Sequence, residues 1–170
     1  KFNFVDVAGD GHCGYHVLQL FLEKTGRQKC IALNEFRLGL VEFALENIEQ
    51  LMGHGRFFGS NTNYRRDQLD FQLDRIHPRG IKVFDKPCDS SHWMYVDWAI
   101  PLAQWKYHFN AVLFTDEDAL NGVTTNNFGW SGDNASMNTV PGTIVPDTVV
   151  DDTLYFLHVS GNHYVYLDPK

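Results

Sequence analysis

The segment Asp10-Gly11-His12-Cys13-Gly14-Tyr15-His16 is a glycine-punctuated turn that leads directly into an apolar run. In that run, large apolar residues recur at one-turn spacing, namely Val17, Leu18, Phe21 and Leu22. The spacing predicts a helix with one buried face and Cys13 in its first turn. Backbone N–H groups and the helix dipole favour a thiolate there, and the thiolate is the nucleophilic form of cysteine. A buried structural cysteine is the alternative, but packing does not require flanking glycines. The segment therefore favours a reactive Cys13.

A β-hairpin is predicted near the end of the chain, in residues 153–167. Two runs of β-branched and aromatic residues flank the short polar turn Ser160-Gly161-Asn162, and His163 opens the second run. A histidine at a strand entrance can reach into a cleft and serve as the base for a cysteine. Taken alone, a histidine at the rim of a sheet is an equally good interpretation of His163. Pairing with Cys13 favours the functional interpretation.

These two segments together resemble the ovarian tumour (OTU) family of cysteine proteases, through Asp-Gly-x-Cys at a helix start and a His-aromatic pair in a C-terminal strand. Residues 92–114 resemble the helix and strand that precede the family's histidine hairpin. The resemblance implies an α+β, papain-type fold in which a helical part packs on a small, mostly antiparallel β-sheet. It also implies one domain, residues 1–170, that hydrolyses isopeptide or peptide bonds to ubiquitin or ubiquitin-like proteins and needs no cofactor.

Within that family, Gly9–Tyr15 is most similar to the viral branch, the papain-like proteases of arteriviruses. This similarity implies a viral protease that also processes a polyprotein. The arterivirus enzymes carry a four-ligand zinc finger, whereas this chain has only Cys30 and Cys88 beyond Cys13. There is no Cys-x-x-Cys motif, and the closest histidine pair brackets Cys13 itself. We therefore predict no structural zinc and no other metal site.

The residue that orients His163 is less clear from the motif. Many OTU enzymes resemble one another in placing Asp or Asn two positions after the histidine, where it accepts the Nδ1 proton, but Val165 occupies that position here. In the arterivirus-like branch the acceptor precedes the cysteine by seven residues, which corresponds to Asp6. Asp6 lies in the alternating run Phe2–Val7, which predicts a short strand beside the His163 strand. The alternatives are Asn162, Asp168 or no third residue at all.

Asp10 is assigned a different role by the resemblance, because its backbone amide and that of Cys13 would line the oxyanion hole. Cys13 would attack a carbonyl, His163 would move the proton, and water would release the thioester. Three functions follow from the sequence: a deubiquitinase, a catalytically silent ubiquitin-binding module, and a papain-like hydrolase of peptides or small amides. The deubiquitinase is favoured because the motif pair and the intervening helix and strand all match one family.

Composition limits the class of partner. The chain has 170 residues, of which 44% are hydrophobic, which suits one well-cored domain. Lys and Arg number 14 against 21 Asp and Glu, and this excess of acid without a basic run argues against a nucleic-acid partner. An acidic surface suits a basic polypeptide, although it also simply favours solubility. No apolar run is long enough to span a bilayer, so we predict no membrane partner. Three cysteines and no recognisable signal peptide predict a cytoplasmic protein, in the host cytoplasm if viral.

Further elements are predicted from local patterns. Three more helices are expected: Asn34, as its N-cap, to Gly53; Asn63 to Ile76; and one that holds Trp105 and starts near Pro101. Residues 81–84 predict a strand. The polar segment from Thr115 to Asp152 predicts a long loop, either disordered or bordering a substrate channel with Phe128 and Trp130 as candidate contacts.

Overall fold

A computed structural model describes residues 2–53, 65–78, 89–116, 124–131, 134–140 and 152–170. The helices are α1 (Cys13–Lys24), α2 (Leu33–Glu46), α3 (Ile48–Gly53), α4 (Arg65–Ile76) and α5 (Val96–Tyr107), with a 3₁₀ helix at Ser90–His92. The strands are β1 (Phe2–Val5), β2 (Asn110–Asp116), β3 (Thr124–Ser131), β4 (Asn134–Val140), β5 (Thr153–Val159) and β6 (His163–Pro169). None of the described helices is long and apolar enough to cross a membrane.

The strands form a single sheet in the order β1-β6-β5-β2-β3-β4. The β2–β5 pair is parallel, and the other four neighbouring pairs are antiparallel. The helix α1 packs across β6 and β5. The prediction of an α+β fold with a mostly antiparallel sheet is therefore confirmed.

Strand β2 shows why the sheet is stable at its centre. Ala111 and Leu113 belong to the main core that the helices share, whereas Val112 and Phe114 pack on the other face with Tyr155. Alternation along a strand sends successive side chains to opposite faces, so both faces of β2 are covered. Full burial of a large apolar side chain contributes about 1.5–3 kcal/mol, which fixes the register of β2 and β5. That register places the hairpin β5–β6 beside α1.

Two helix starts differ from the prediction. Helix α2 begins at Leu33 with Ala32 as its N-cap, and Asn34 lies inside the helix, where its Oδ1 is 2.9 Å from Nε2 of His77. The predicted single helix to Gly53 is interrupted at Asn47, whose side-chain amide donates to the Phe43 carbonyl at 2.8 Å. A side chain that competes for a backbone carbonyl is a common cause of a helix end.

Helix α5 begins at Val96, five residues before Pro101, so the predicted start at Pro101 is wrong. Proline lacks an N–H and removes the helical bond to the carbonyl of Asp97, four residues earlier. Asp97 is exposed, and its carbonyl can bond to water instead. The packing of Trp98, Ile100 and Leu102 in the core offsets the lost bond.

The polar segment between β2 and β5 is not one long loop. Strands β3 and β4 pair antiparallel with each other, and β3 pairs with β2 so that Phe128 lies opposite Ala111. Threonine has a high strand propensity, and pairing with β2 gives the backbone N–H and C=O groups of β3 their hydrogen-bond partners. A search for alternating apolar residues does not detect a strand that is stabilised in this way. The side chains of Phe128 and Trp130, the predicted strand at 81–84 and the first two residues of the predicted helix from Asn63 lie outside what the structure describes.

Candidate active site

Cys13 is the first residue of α1, as predicted, and it meets the start of β6. Its Sγ lies 3.9 Å from the carbonyl oxygen of Asn162, and the backbone N–H of Tyr164 is within hydrogen-bonding reach of the sulfur. Asn162 and Tyr164 are the residues on either side of His163. The fold therefore brings together the two segments that the sequence singled out, although 149 positions separate Cys13 from Asn162.

The surroundings of the sulfur set the state of the thiol. Burial raises the pKa of Cys13, and the backbone N–H groups of Tyr164 and Gly14 act in the opposite direction without outweighing it. In the resting state the thiol is therefore protonated and donates to the Asn162 carbonyl. N–H groups that stabilise a thiolate are already in place, but a base must first remove the proton.

His163 is held by Asp6. Its Nε2 lies 2.8 Å from Oδ1 of Asp6, and this hydrogen bond is the main reason why the pKa of Asp6 is lowered. The family pattern has its acceptor at Nδ1, whereas Asp6 in this structure lies at Nε2. When Nε2–H donates to Asp6, the neutral imidazole carries its lone pair on Nδ1. The side of the ring that carries Nδ1 faces Gly9, where an added Cβ would lie 4.0 Å from Nδ1.

The pairing of β1 with β6 explains how Asp6 replaces a residue at position 165. The two strands are antiparallel, with Val5 opposite Tyr166. One further step along this register places Asp6 opposite Val165, two residues from His163 on the same face of β6. Of the other candidates, Asp168 pairs with Lys24 instead, and the backbone carbonyl of Asn162 accepts from Cys13.

Asp10 organises the turn before Cys13 through its side chain as well. Its Oδ1 accepts from the backbone N–H of His12 at 2.9 Å, and its Oδ2 lies 3.1 Å from Nε2 of His16. Burial raises the pKa of Asp10, but these two hydrogen bonds outweigh it and the net shift is downward. Gly11 between them has a φ of 83°, a conformation that favours glycine. The sequence analysis expected only a backbone role for Asp10 and missed its carboxylate.

Comparison with known proteins identifies the fold. No family model and no curated protein sequence matches the chain. Among solved structures, an OTU deubiquitinase from Wolbachia pipientis wMel is 15% identical with a TM-score of 0.63, over 98% of this chain and 87% of that one. The chain has the OTU fold.

Two further structures have the same fold. The Wolbachia OTU deubiquitinase bound to ubiquitin gives a TM-score of 0.57 at 15% identity, over 98% of this chain and 94% of that one. The viral OTU domain protease from Qalyub virus gives a TM-score of 0.51 at 17% identity, over 99% of this chain and 85% of that one. The predicted OTU resemblance is thus confirmed for the fold, and the arterivirus branch stays a prediction.

A buried arginine that contacts the residue before Cys13 was not predicted from the sequence. Arg37 of α2 has no exposed surface, and its Nη1 lies 2.6 Å from Nδ1 of His12. A signal was present, because Arg37 falls at a core position of the helical stripe that contains Phe36, Leu40 and Ala44. A charged residue at a core position indicates a buried polar network rather than a solvated face.

No described group of three or more His, Cys, Asp or Glu side chains is arranged to hold a metal ion. Cys13 and Cys30 are free thiols, and Cys88 lies outside the residues that the structure describes. The absence of structural zinc therefore stays a prediction for this OTU fold.

Proposed function

We propose that this chain is a thiol-dependent deubiquitinase that hydrolyses isopeptide or peptide bonds to ubiquitin or a ubiquitin-like protein. The observation that carries the proposal is the position of the Cys13 sulfur between the two neighbours of His163, whose ring is hydrogen-bonded to Asp6. A Wolbachia deubiquitinase with the same fold was crystallised with ubiquitin, which supports the class of substrate.

The reaction begins with proton transfer from the Cys13 thiol to Nδ1 of His163, and the Asp6 carboxylate stabilises the imidazolium that forms. The thiolate attacks the carbonyl carbon, and the amides of Asp10 and Cys13 donate to the oxyanion. His163 then returns the proton to the leaving amine, which leaves a thioester on Cys13. Water, deprotonated by His163, attacks the thioester, and the products are a free carboxylate and the restored thiol.

Two effects supply most of the expected rate. A positioned general base contributes about 10²–10⁴-fold. Each donor of an oxyanion hole contributes about 10²–10³-fold when it is already in place before the charge develops. The protonated resting thiol makes the base essential, since burial opposes spontaneous ionisation of Cys13.

Asp6 also bears on the alternative of a catalytically silent ubiquitin-binding module. Val165 suggested that the orienting residue was lost, but Asp6, which follows the neighbouring strand β1, supplies a carboxylate at the same level of β6.

The free thiols of Cys13 and Cys30 fit a reducing compartment. We propose that the enzyme acts in the cytoplasm, or in the host cytoplasm if the protein is viral, where polyprotein processing would be a second activity.

The test is reaction with ubiquitin that carries a C-terminal electrophile, followed by intact-mass analysis of wild type, Cys13→Ala and Cys30→Ala. Cys30 is the matched control because it is an exposed free thiol whose pKa is raised by Glu23. We expect one adduct on wild type and on Cys30→Ala, and none on Cys13→Ala. An adduct that depends on Cys30 would refute the assignment of Cys13.

A folded wild type that forms no adduct with ubiquitin, or with ubiquitin-like proteins that carry the same electrophile, would refute the proposed hydrolase. Titration with unmodified ubiquitin then separates the remaining functions. Binding without reaction indicates the silent module, and neither binding nor reaction indicates a papain-like hydrolase with another substrate.

A further inference from the structure

Arg37 makes more contacts than a residue that only fills the core requires. Its Nε donates to the Ile76 carbonyl at 2.5 Å, and Nη2 donates to the carbonyls of Arg75 and His92 at 2.9 Å each. Its guanidinium lies 4.2 Å from the centre of the Tyr15 ring. The carbonyls belong to the end of α4 and to the 3₁₀ helix, so two elements outside the Cys13 turn fix the guanidinium in place.

The remaining nitrogen of this guanidinium, Nη1, reaches His12, the residue before Cys13. We propose that Arg37 is a positioning residue of the active site, which acts through His12 to hold the turn that carries the oxyanion-binding amides. The proposal rests on the proposed function, because it gives the Asp10–Cys13 turn the task of binding an oxyanion.

The hydrogen bond defines the state of His12. A guanidinium has only donors, so Nδ1 of His12 accepts and the proton of the neutral ring is on Nε2. Burial and the charge of Arg37 lower the pKa of His12 to about 4, which keeps the ring neutral at physiological pH. The contact is therefore present under the conditions in which the enzyme works.

The peptide groups around His12 transmit this restraint to Cys13. The His12 N–H donates to Asp10, and the His12 carbonyl accepts from the N–H groups of Tyr15 at 2.8 Å and His16 at 3.0 Å. Gly11 precedes His12 with a φ of 83°, and glycine restricts its own backbone least of all residues. A glycine turn that must hold an amide against a developing charge needs a restraint from outside, and the side chain of His12 provides it.

The test compares two reactions of Cys13 that differ in one respect. Hydrolysis of a C-terminal ubiquitin reporter, or of a small nitrophenyl ester, passes through an oxyanion, whereas alkylation by iodoacetamide does not. We expect His12→Leu to lower kcat for acyl transfer by about 10–100-fold, with KM and the alkylation rate within about twofold of wild type. His12→Asn places an acceptor oxygen one bond from Cγ, as Nδ1 is, and we expect kcat to recover to within about fivefold of wild type.

His77→Leu is the matched control. His77 is another buried histidine hydrogen-bonded to α2, through Asn34, but it is not part of the Cys13 turn. Its loss removes a comparable buried contact, and we expect kcat within about twofold of wild type. Arg37→Lys keeps the charge but not the planar set of donors, and it replaces His12→Leu in the test if His12→Leu does not fold. We expect the same loss of kcat from it, with the alkylation rate retained.

A wild-type kcat in folded His12→Leu or Arg37→Lys would overturn the proposal. A loss of alkylation equal to the loss of acyl transfer would also overturn it, since the thiol rather than the oxyanion would then be affected. A wild type that is acylated by the ester but ignores reporters of both ubiquitin and ubiquitin-like proteins would refute the proposed function alone. The ratio of ester hydrolysis to alkylation would still decide the role of Arg37. A wild type that is acylated by neither substrate would overturn both.

Discussion

Gly14, the residue after the proposed nucleophile, lies where a larger side chain does not fit. A Cβ added there would be 2.6 Å from Cε and 2.8 Å from Cβ of Met94, whose side chain is buried. The Cε can rotate away, but the Cβ moves only with the backbone. Ordinary contact starts at 3.4 Å, so Gly14→Ala requires the first turn of α1 to shift by about 0.6 Å relative to Met94.

Two effects of Gly14→Ala on stability oppose each other. Overpacking of this size costs about 1–3 kcal/mol. Alanine gains up to about 1 kcal/mol over glycine inside a helix, and less in the first turn. We therefore expect a net loss of about 1 kcal/mol and a Tm lower by about 2–4 °C. A displacement of 1 Å can cost about 10²-fold in rate, so a shift of Cys13 by about half of that is expected to lower kcat about tenfold.

Gly39→Ala in α2 is the control, because among the described residues a Cβ there would meet only Nζ of Lys106, at 3.3 Å. Nζ donates to the Gly39 carbonyl at 2.6 Å, and a shift of about 0.1 Å restores ordinary contact while keeping this hydrogen bond. We expect this variant to be as stable as wild type or up to about 1 kcal/mol more stable, with unchanged kcat. Urea unfolding and hydrolysis of a ubiquitin reporter measure both quantities. A Gly14→Ala variant that matches Gly39→Ala in stability would show that the contact with Met94 does not constrain the turn.

Three further predictions follow from the site. Asp6→Ala is expected to lower kcat about tenfold with little change in the free energy of unfolding. The double variant Asp6→Ala, Val165→Asp should recover part of that rate, because it presents a carboxylate to His163 from β6 itself. If steady-state kinetics show no loss of kcat in Asp6→Ala, Asp6 does not orient His163. The free energy of unfolding of wild type is expected to fall by about 2–3 kcal/mol relative to that of His12→Asn as the pH decreases from about 6.5 to about 4, since the pKa of His12 is about 4 in the folded chain and about 6.5 in the unfolded chain. Urea unfolding at a series of pH values that gives the two proteins the same pH dependence would contradict this. Cys13→Ala should abolish turnover and still bind ubiquitin, which calorimetric titration measures.

The sequence predicted those parts of the site that carry their own local signal. Helical spacing after Cys13 located the start of α1, and the Ser160–Asn162 turn located the start of β6. Alternation in Phe2–Val7 predicted a strand through Asp6, and the strand ends one residue earlier, at Val5. Each of these patterns operates within about ten residues. That the segments of Cys13 and His163 lie together was inferred from the family resemblance, because no local pattern specifies which segments pack together.

The features that the sequence did not predict depend on partners distant in the chain. Strands β3 and β4 are polar and are stabilised by pairing next to β2. Pro101 is tolerated inside α5 because the core retains the helix around it. Arg37 looked like an ordinary charged residue of a helix, since its partners come from three other segments. Tertiary contacts override local propensity in each of these places.

The third residue of the site shows how one geometry can survive without a shared motif. A histidine ring on β6 needs an acceptor at the level of position 165, and either β6 or its neighbour β1 can supply one because antiparallel strands bring residues face to face. In this chain β6 offers Val165, and β1 leads into Asp6, whose carboxylate is 2.8 Å from the ring. A search for Asp or Asn after the histidine therefore examines residues of β6 alone. The hydrogen bond to the histidine ring depends only on where the acceptor lies, whichever strand supplies it. In this chain the strand register points to Asp6, which the spacing after His163 does not.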